Sequence, residues 1–200
     1  MLFEISYISI VARIGDAINI VRRTHFQLSS ITRIFVILEP NISKKENNYM
    51  ERSLIILKPD AIQRGLSGEL IHRMERKGLK IIGIKMMSVD AAVLQAHYAH
   101  IADKPFYADV EKFMQSSPVI VMALEGQECI DSIRILVGAT DPRKADAGTI
   151  RGDFALATGR NLIHASDSTE NGAEEVARFF GDDELFDYDK SEYMHVYENL

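Results

Sequence analysis

A single cysteine, Cys129, is all the thiol chemistry this chain of 200 residues contains. One thiol closes no internal disulfide and builds no zinc cluster, so nothing in the sequence demands an oxidising compartment, and a cytoplasmic location is the expectation. No apolar run approaches the roughly 20 residues that a membrane-spanning helix needs, which excludes that class. There is no excess of positive charge either. The formal net charge is −6, which keeps a protein soluble and argues against a general nucleic-acid-binding surface, while leaving room for a small basic pocket. No secretory signal is expected: Glu4 interrupts the would-be apolar region, and no small-residue cleavage site follows. Two phosphate-binding signatures are missing as well. No G-x-G-x-x-G follows the first strand, and residues 64–68 lack G-x-x-x-x-G-K-[ST], so their glycines read as a tight turn.

The chain divides unequally. Residues 1–49 carry many isoleucines, scattered arginines (Arg13, Arg22, Arg23, Arg33) and no glycine after Gly15, and they close in a polar, turn-rich stretch from Pro40 to Asn48 that reads as a linker. These residues are expected to be an extension of unknown role, a disordered segment, or an artefact of a start site assigned upstream of Met50. Residues 50–200 are expected to form one domain, since the length suits one core and not two.

Within that domain the hydrophobic period switches repeatedly. Residues 53–58 are a buried strand delivering Lys58 at its tip, and Asp60 with Gln63 has the spacing of a helix capping box. Residues 66–77 have helical spacing, 80–89 alternate as a second strand, and 91–99 and 109–114 read as helices. Residues 118–124 form a third strand, continuously apolar and hence central; 129–137 are helical. Residues 138–153 read as a long loop, 162–163 as a brief fourth strand, and a helix runs through Phe180, capped by Asp167 with Glu170 or by Asn171 with Glu174. This order suits an α+β sandwich: a ferredoxin-like split βαβ with a four-stranded antiparallel sheet covered by helices.

Three places could carry chemistry. The 138–153 loop is long enough to expect function, and it gathers Thr140, Arg143, Lys144 and Arg151 just after Arg134. Guanidinium groups grip phosphate in a fork geometry. His164 sits where a strand ends near a helix start, in the company of Asn161, Ser166 and Asp167. Imidazole titrates near pH ~6.5 and is a competent nucleophile when neutral. His72, His97, His100 and His195 have no comparable neighbours in sequence. Lys58, at the end of the first strand, suits a phosphate as a point charge.

Six segments in order resemble the nucleoside diphosphate kinase family: L-K-P-D at 57–60, H-Y at 97–98, K-P-F at 104–106, R-I-L-V-G-A-T-D-P at 134–142, G-T-I-R-G-D-F at 148–154 and G-R-N-L-I-H-A-S-D-S at 159–168. The resemblance runs from about Glu51 to Glu198. It implies a ping-pong reaction in which His164 takes the γ-phosphoryl of a nucleoside triphosphate as phosphohistidine and yields it to a nucleoside diphosphate, maintaining triphosphate pools. It further implies that Lys58, Arg134 and Arg151 hold phosphate oxygens, that Thr140 donates to one, and that Tyr98 lies beside the transferred group. Phe106 would stack on the base, Asn161 with Lys58 would meet the sugar's 3′-hydroxyl, and Ser166 and Glu175 would orient the imidazole. Mg²⁺ would ride on the nucleotide phosphates, with Asp167 the candidate for a contact through water. A base read only by its face implies broad tolerance of purines and pyrimidines. Family members are hexamers or tetramers, and Pro142 and the tail 197–200 resemble the hexameric ones. Two departures stand out. Lys104 occupies a place where arginine is usual. Ala165 replaces a glycine after the histidine, which would strain the backbone if that position needed positive φ.

Overall fold

The computed structural model describes residues 50–198, and the expectations for residues 1–49 lie outside them. Four strands carry the fold: β1 (Met50–Leu57), β2 (Lys80–Met87), β3 (Val119–Gln127) and β4 (Ile163–Ala165). Their order in the sheet is β2-β3-β1-β4, and every pairing is antiparallel. β1 and β2 are therefore separated by β3, which is the split βαβ arrangement expected from the alternation of elements.

Seven α-helices among the described residues cover both faces. They are α1 (Pro59–Gln63), α2 (Ser67–Arg76), α3 (Ala91–His97), α4 (Tyr107–Met114), α5 (Cys129–Val137), α6 (Ile150–Phe154) and α7 (Thr169–Phe179). The continuous apolar run of β1 has its explanation here. Ile55 and Leu57 enter a core with Leu70 and Met74 of α2, Ile133 and Val137 of α5 and Ile150 of α6. Leu54 and Ile56 enter the opposite core with Leu94 of α3, Phe113 of α4 and Val176 and Phe179 of α7. Successive side chains of a strand point to opposite faces, so a strand covered on both sides has no polar alternation to show.

Three local expectations are corrected. Residues 138–153 are not one loop: a 3₁₀ turn at Pro142–Lys144 and helix α6 interrupt them. Thr149 caps α6 by accepting from the Gly152 N–H at 3.1 Å, a signal hidden by the surrounding glycine and charge. Asp60 and Gln63 form no capping box. Lys58 is the N-cap residue of α1, with Pro59 at its first turn, and the Asp60 carboxylate accepts from the Leu162 N–H at 3.0 Å instead. At α7 neither proposed box is used; Ser168 caps the helix by accepting from the Asn171 N–H at 3.1 Å.

Candidate active site

β4 is short, but its position beside β1 aims the site. Ile163 and Ala165 enter the first core, so alternation turns His164 between them to the other face, opposite Ile56 in the pairing. There it meets α3 and α7. His164 Nε2 lies 3.0 Å from Glu175 Oε2. That same oxygen accepts from Ser166 Oγ at 2.6 Å, and Ser166 Oγ accepts from the Leu54 N–H at 2.9 Å. Leu54 is a core residue of the central strand β1, so Glu175 is fixed through Ser166 to the sheet. Burial opposes ionisation of Glu175. The hydrogen bonds and charge of His164, with the Ser166 hydroxyl, outweigh it and hold the carboxyl below its ordinary range. A charged Glu175 keeps the imidazole proton on Nε2. Nδ1 is then left with its lone pair, and no partner occupies it among the described residues.

The turn before β4 is the strained part of the frame. Leu162 has φ 70°, and the Ile163 N–H donates to the Asn161 carbonyl at 2.8 Å across it. A bulky residue in the left-handed region costs on the order of 1–3 kcal/mol and persists where its surroundings over-determine it. They do so here. The Leu162 N–H is held by Asp60, its carbonyl accepts from the Lys58 N–H at 2.8 Å, and its side chain is fully buried. The turn ties the end of β1 to the start of β4, and so sets Lys58 and Asn161 beside His164.

The clamp forms on the same side. Lys58 Nζ donates to Asn161 Oδ1 at 2.7 Å, and Asn161 Nδ2 donates to the Thr140 carbonyl at 3.0 Å. Arg151 is buried. Its Nη2 donates to the Ile163 carbonyl at 2.7 Å, its Nη1 to the Gly138 carbonyl at 2.9 Å and its Nε to the Asn161 carbonyl at 3.4 Å. These acceptors are neutral oxygens. Neither Lys58 nor Arg151 has a carboxylate in ion-pair contact among the described residues. Burial, then the charge of Arg151, lowers Lys58 to about 8, with Asp60 opposing. Burial, then Arg134, lowers Arg151 to about 10. Two cations, each lowered by burial and by a neighbouring guanidinium, mark a site short of negative charge.

Lys58, Tyr98, Arg134, Thr140, Arg151, Asn161, His164, Asp167 and Glu175 all line one cleft of about 630 Å³. Burial, with Glu175 next, pushes the Tyr98 phenol up, so it stays a hydroxyl able to donate. Ser166 lies behind the cleft wall. Phe106 does not line the cleft; it stands half-exposed at the start of α4. Lys104, near it, pairs with Asp103 at 3.2 Å on the surface. Ala165 has no positive φ and pairs with Ile55 as ordinary strand, so the strain feared for that position is absent. Asp167, at the exposed rim of the cleft, is bonded to Asn171 Nδ2 through Oδ1 at 2.7 Å.

One neighbour was missed. His97 lies edge-on to His164 with ring centroids 4.4 Å apart, and its Nδ1 is 3.6 Å from Glu175 Oε1. Burial, then His164, pushes it down to about 3 against the pull of Glu175, so it is neutral. Its place next to Tyr98 was the available signal.

The chain resembles known proteins across this whole region. The family model described as "Nucleoside diphosphate kinase" matches residues 51–185. Nucleoside diphosphate kinase of Roseiflexus castenholzii is 53% identical over 149 residues, covering 74% of this chain and 100% of the relative. That of Methanobrevibacter smithii is 47% identical over 149 residues, 74% of this chain and 99% of the relative. Among solved structures, a halophilic nucleoside diphosphate kinase from Halobacterium salinarum in complex with CDP superposes with a TM-score of 0.73 at 44% identity, over 75% of this chain and all of that one. With its split βαβ sheet and a cleft lined by cations and by a histidine whose Nε2 meets a glutamate, the chain belongs to the nucleoside diphosphate kinase family.

Proposed function

We propose that Nδ1 of His164 is the atom that carries the phosphoryl group. The enzyme transfers the γ-phosphoryl of a nucleoside triphosphate to a nucleoside diphosphate in two half-reactions through phosphohistidine. In the first, the Nδ1 lone pair forms a bond to the γ-phosphorus while the bond to the bridging oxygen breaks, and the diphosphate departs with that electron pair. In the second, a terminal oxygen of another diphosphate attacks the phosphorus and the ring is restored. The single observation that carries this reading is that Glu175 engages Nε2 of a ring that lines the cleft, which leaves Nδ1 for the substrate.

The chain's own groups supply position and charge, which dominate phosphoryl transfer. Ionised Glu175 compensates the positive charge that grows on the imidazole as Nδ1 bonds to phosphorus. Arg151, Arg134 and Lys58 hold phosphate oxygens, and Thr140 donates its hydroxyl to another. The Tyr98 hydroxyl meets the transferred group. Lys58 and Asn161, already bonded to each other, present an amine and an amide to the sugar's 3′-hydroxyl. Mg²⁺ arrives with the nucleotide and neutralises charge shared by its phosphates, with Asp167 reaching it through water. Phe106 stacks on the base, and its half-exposed ring needs no edge contacts, so purines and pyrimidines are both accepted.

The active form is a homo-oligomer, a hexamer in preference to a tetramer. Edge strand β2 supports this, because it leaves Ile84 and Met86 exposed. Sedimentation velocity at micromolar chain concentration tests the size. The domain proper begins near Met50, with residues 1–49 an extension of unknown role or a start-site artefact, and the protein works in the cytoplasm. Among the described residues, no helix is long and apolar enough to cross a membrane.

The test of the reaction is to incubate the protein with γ-labelled ATP and Mg²⁺, remove free nucleotide and chase with an unrelated nucleoside diphosphate. Acid-labile label on His164 that moves to the diphosphate is expected, and none in His164→Ala. Label that stays on the protein when diphosphate is added contradicts the proposal.

A further inference from the structure

His97 has no part in the transfer chemistry, yet it lies buried beside it. The side chain is wholly buried, and neither ring nitrogen has a hydrogen-bond partner. Buried polar atoms are nearly always paired, so two idle nitrogens on one ring call for a reason. The ring faces Glu175: Nδ1 is 3.6 Å from Oε1, while Oε2 is 3.0 Å from His164 Nε2. One carboxylate thus sets each of its oxygens against a different imidazole, and one ligand atom from each of the three residues lies within 4.8 Å of the other two.

Two histidines and a glutamate are a donor set that zinc accepts, at about 2.0–2.2 Å from each ligand; in a tetrahedron of that size the ligand atoms stand about 3.3 Å from one another. The separation of each imidazole from its own oxygen of Glu175, 3.0 Å for His164 and 3.6 Å for His97, lies on either side of that spacing. The three side chains also line the cleft, so a fourth corner can be filled by water from the open side. Mg²⁺ does not compete, because it takes oxygen ligands in octahedral geometry, whereas imidazole nitrogen suits zinc and its neighbours.

We propose that His97, His164 and Glu175 form a binding site for one zinc-class divalent ion, and that the bound ion arrests phosphoryl transfer. The arrest follows from proton bookkeeping on one ring. A neutral imidazole has one N–H and one lone pair. When the ion takes the electron pair of His164 Nε2, the ring's proton resides on Nδ1. The Nδ1 lone pair that would bond to phosphorus is then an N–H bond, and the ring is no longer a nucleophile. The arrest rests on the assignment of His164 as the phosphoryl carrier; the binding does not.

Zinc alone, titrated calorimetrically into the nucleotide-free full chain, is expected to bind at one ion per chain. His97→Gln and Glu175→Gln are expected to weaken binding at least tenfold, and His100→Gln, a neighbour at the cleft mouth, to leave it unchanged. Equal affinity in His97→Gln overturns the site. A readout on the unmutated protein guards against a variant that fails to fold: Co²⁺ in place of zinc should give the strong visible absorption of a four-coordinate ion, and the weak spectrum of an octahedral one overturns the site. For the arrest, labelling of His164 by γ-labelled ATP in excess Mg²⁺ should slow at least tenfold at saturating zinc and recover with a zinc-selective chelator. Unchanged labelling with zinc bound overturns the arrest. A zinc-free protein that takes no label on His164 contradicts the carrier assignment instead, while the binding arm still decides the site.

Discussion

The cations of the cleft and the cations of the outer surface live by different rules. Outside, Arg73 pairs with Glu69 at 2.8 Å and Asp153 at 2.9 Å, Lys85 with Glu184 at 2.6 Å, and Arg143 with Asp141 at 3.0 Å. Inside, Lys58 and Arg151 are equally fixed, but by an amide oxygen and backbone carbonyls. Neutral acceptors fix the geometry of a cation without cancelling its charge. The outer arrangement is complete as it stands, and the inner one lacks an anion. On the proposed function phosphates supply it, and the fold bears the cost of holding the charges apart until they arrive.

The largest effect should come from the ring between these charges. His164→Gln is expected to reduce kcat by at least ~10³-fold while leaving nucleotide binding, measured by calorimetry, within about threefold of the parent, because the clamp is untouched.

Next is a direct contest between the two kinds of cation. Arg151→Lys keeps charge but abandons carbonyls that the guanidinium fork satisfied. It should lower kcat/KM by roughly 10–100-fold and stability by about 1–3 kcal/mol in urea titrations. Arg73→Lys, on the exposed side, should alter kcat/KM less than twofold. Equal losses at both positions would break the distinction.

Lys58 sharpens it by pH. Its folded value, about 8, lies below the ~10.4 of an unfolded lysine. Between these values the unfolded chain holds a proton that the folded chain has released, so this residue's contribution to stability rises with pH across that window, and below it the buried charge is a burden on the fold. Bound phosphates reverse the balance and draw the proton back. Nucleotide binding should therefore take up a proton at pH 8 and above, visible as a dependence of the calorimetric heat on the buffer's ionisation enthalpy, and affinity should decline as pH rises through 8. Lys58→Met should abolish the uptake.

The smallest effect is expected at Ala165→Gly. The backbone there is ordinary strand, so glycine brings no relief and costs about 0.5–1 kcal/mol of stability with kcat unchanged.

Much of this was legible from the chain itself. The strands and most helices follow from period, because burial on two faces gives continuous apolar runs and burial on one gives helical spacing. Lys58, Arg134, Thr140, Arg151, Asn161 and His164, which the fold brings to one cleft, could be singled out because few side chains suit phosphate chemistry. What escaped is non-local. The pairing of Asp60 with Leu162 spans 102 residues and depends on β1 and β4 being neighbours. The strain at Leu162 leaves no mark in composition. His97 was set aside because its partners come from β4 and α7, far along the sequence. Helix α6 was lost in a stretch whose glycines and charges read as loop, its cap recognisable only once Thr149 and Gly152 are seen together.

The central claim is that the ring of His164 is divided, with Nε2 given to the frame and Nδ1 to the substrate. Phosphorylating the ¹⁵N-histidine-labelled protein with ATP and recording ³¹P–¹⁵N correlations under alkaline conditions tests it directly. Phosphorus coupled to Nδ1 of His164 is the result the geometry requires. Phosphorus on Nε2, the nitrogen now held by Glu175, would contradict it.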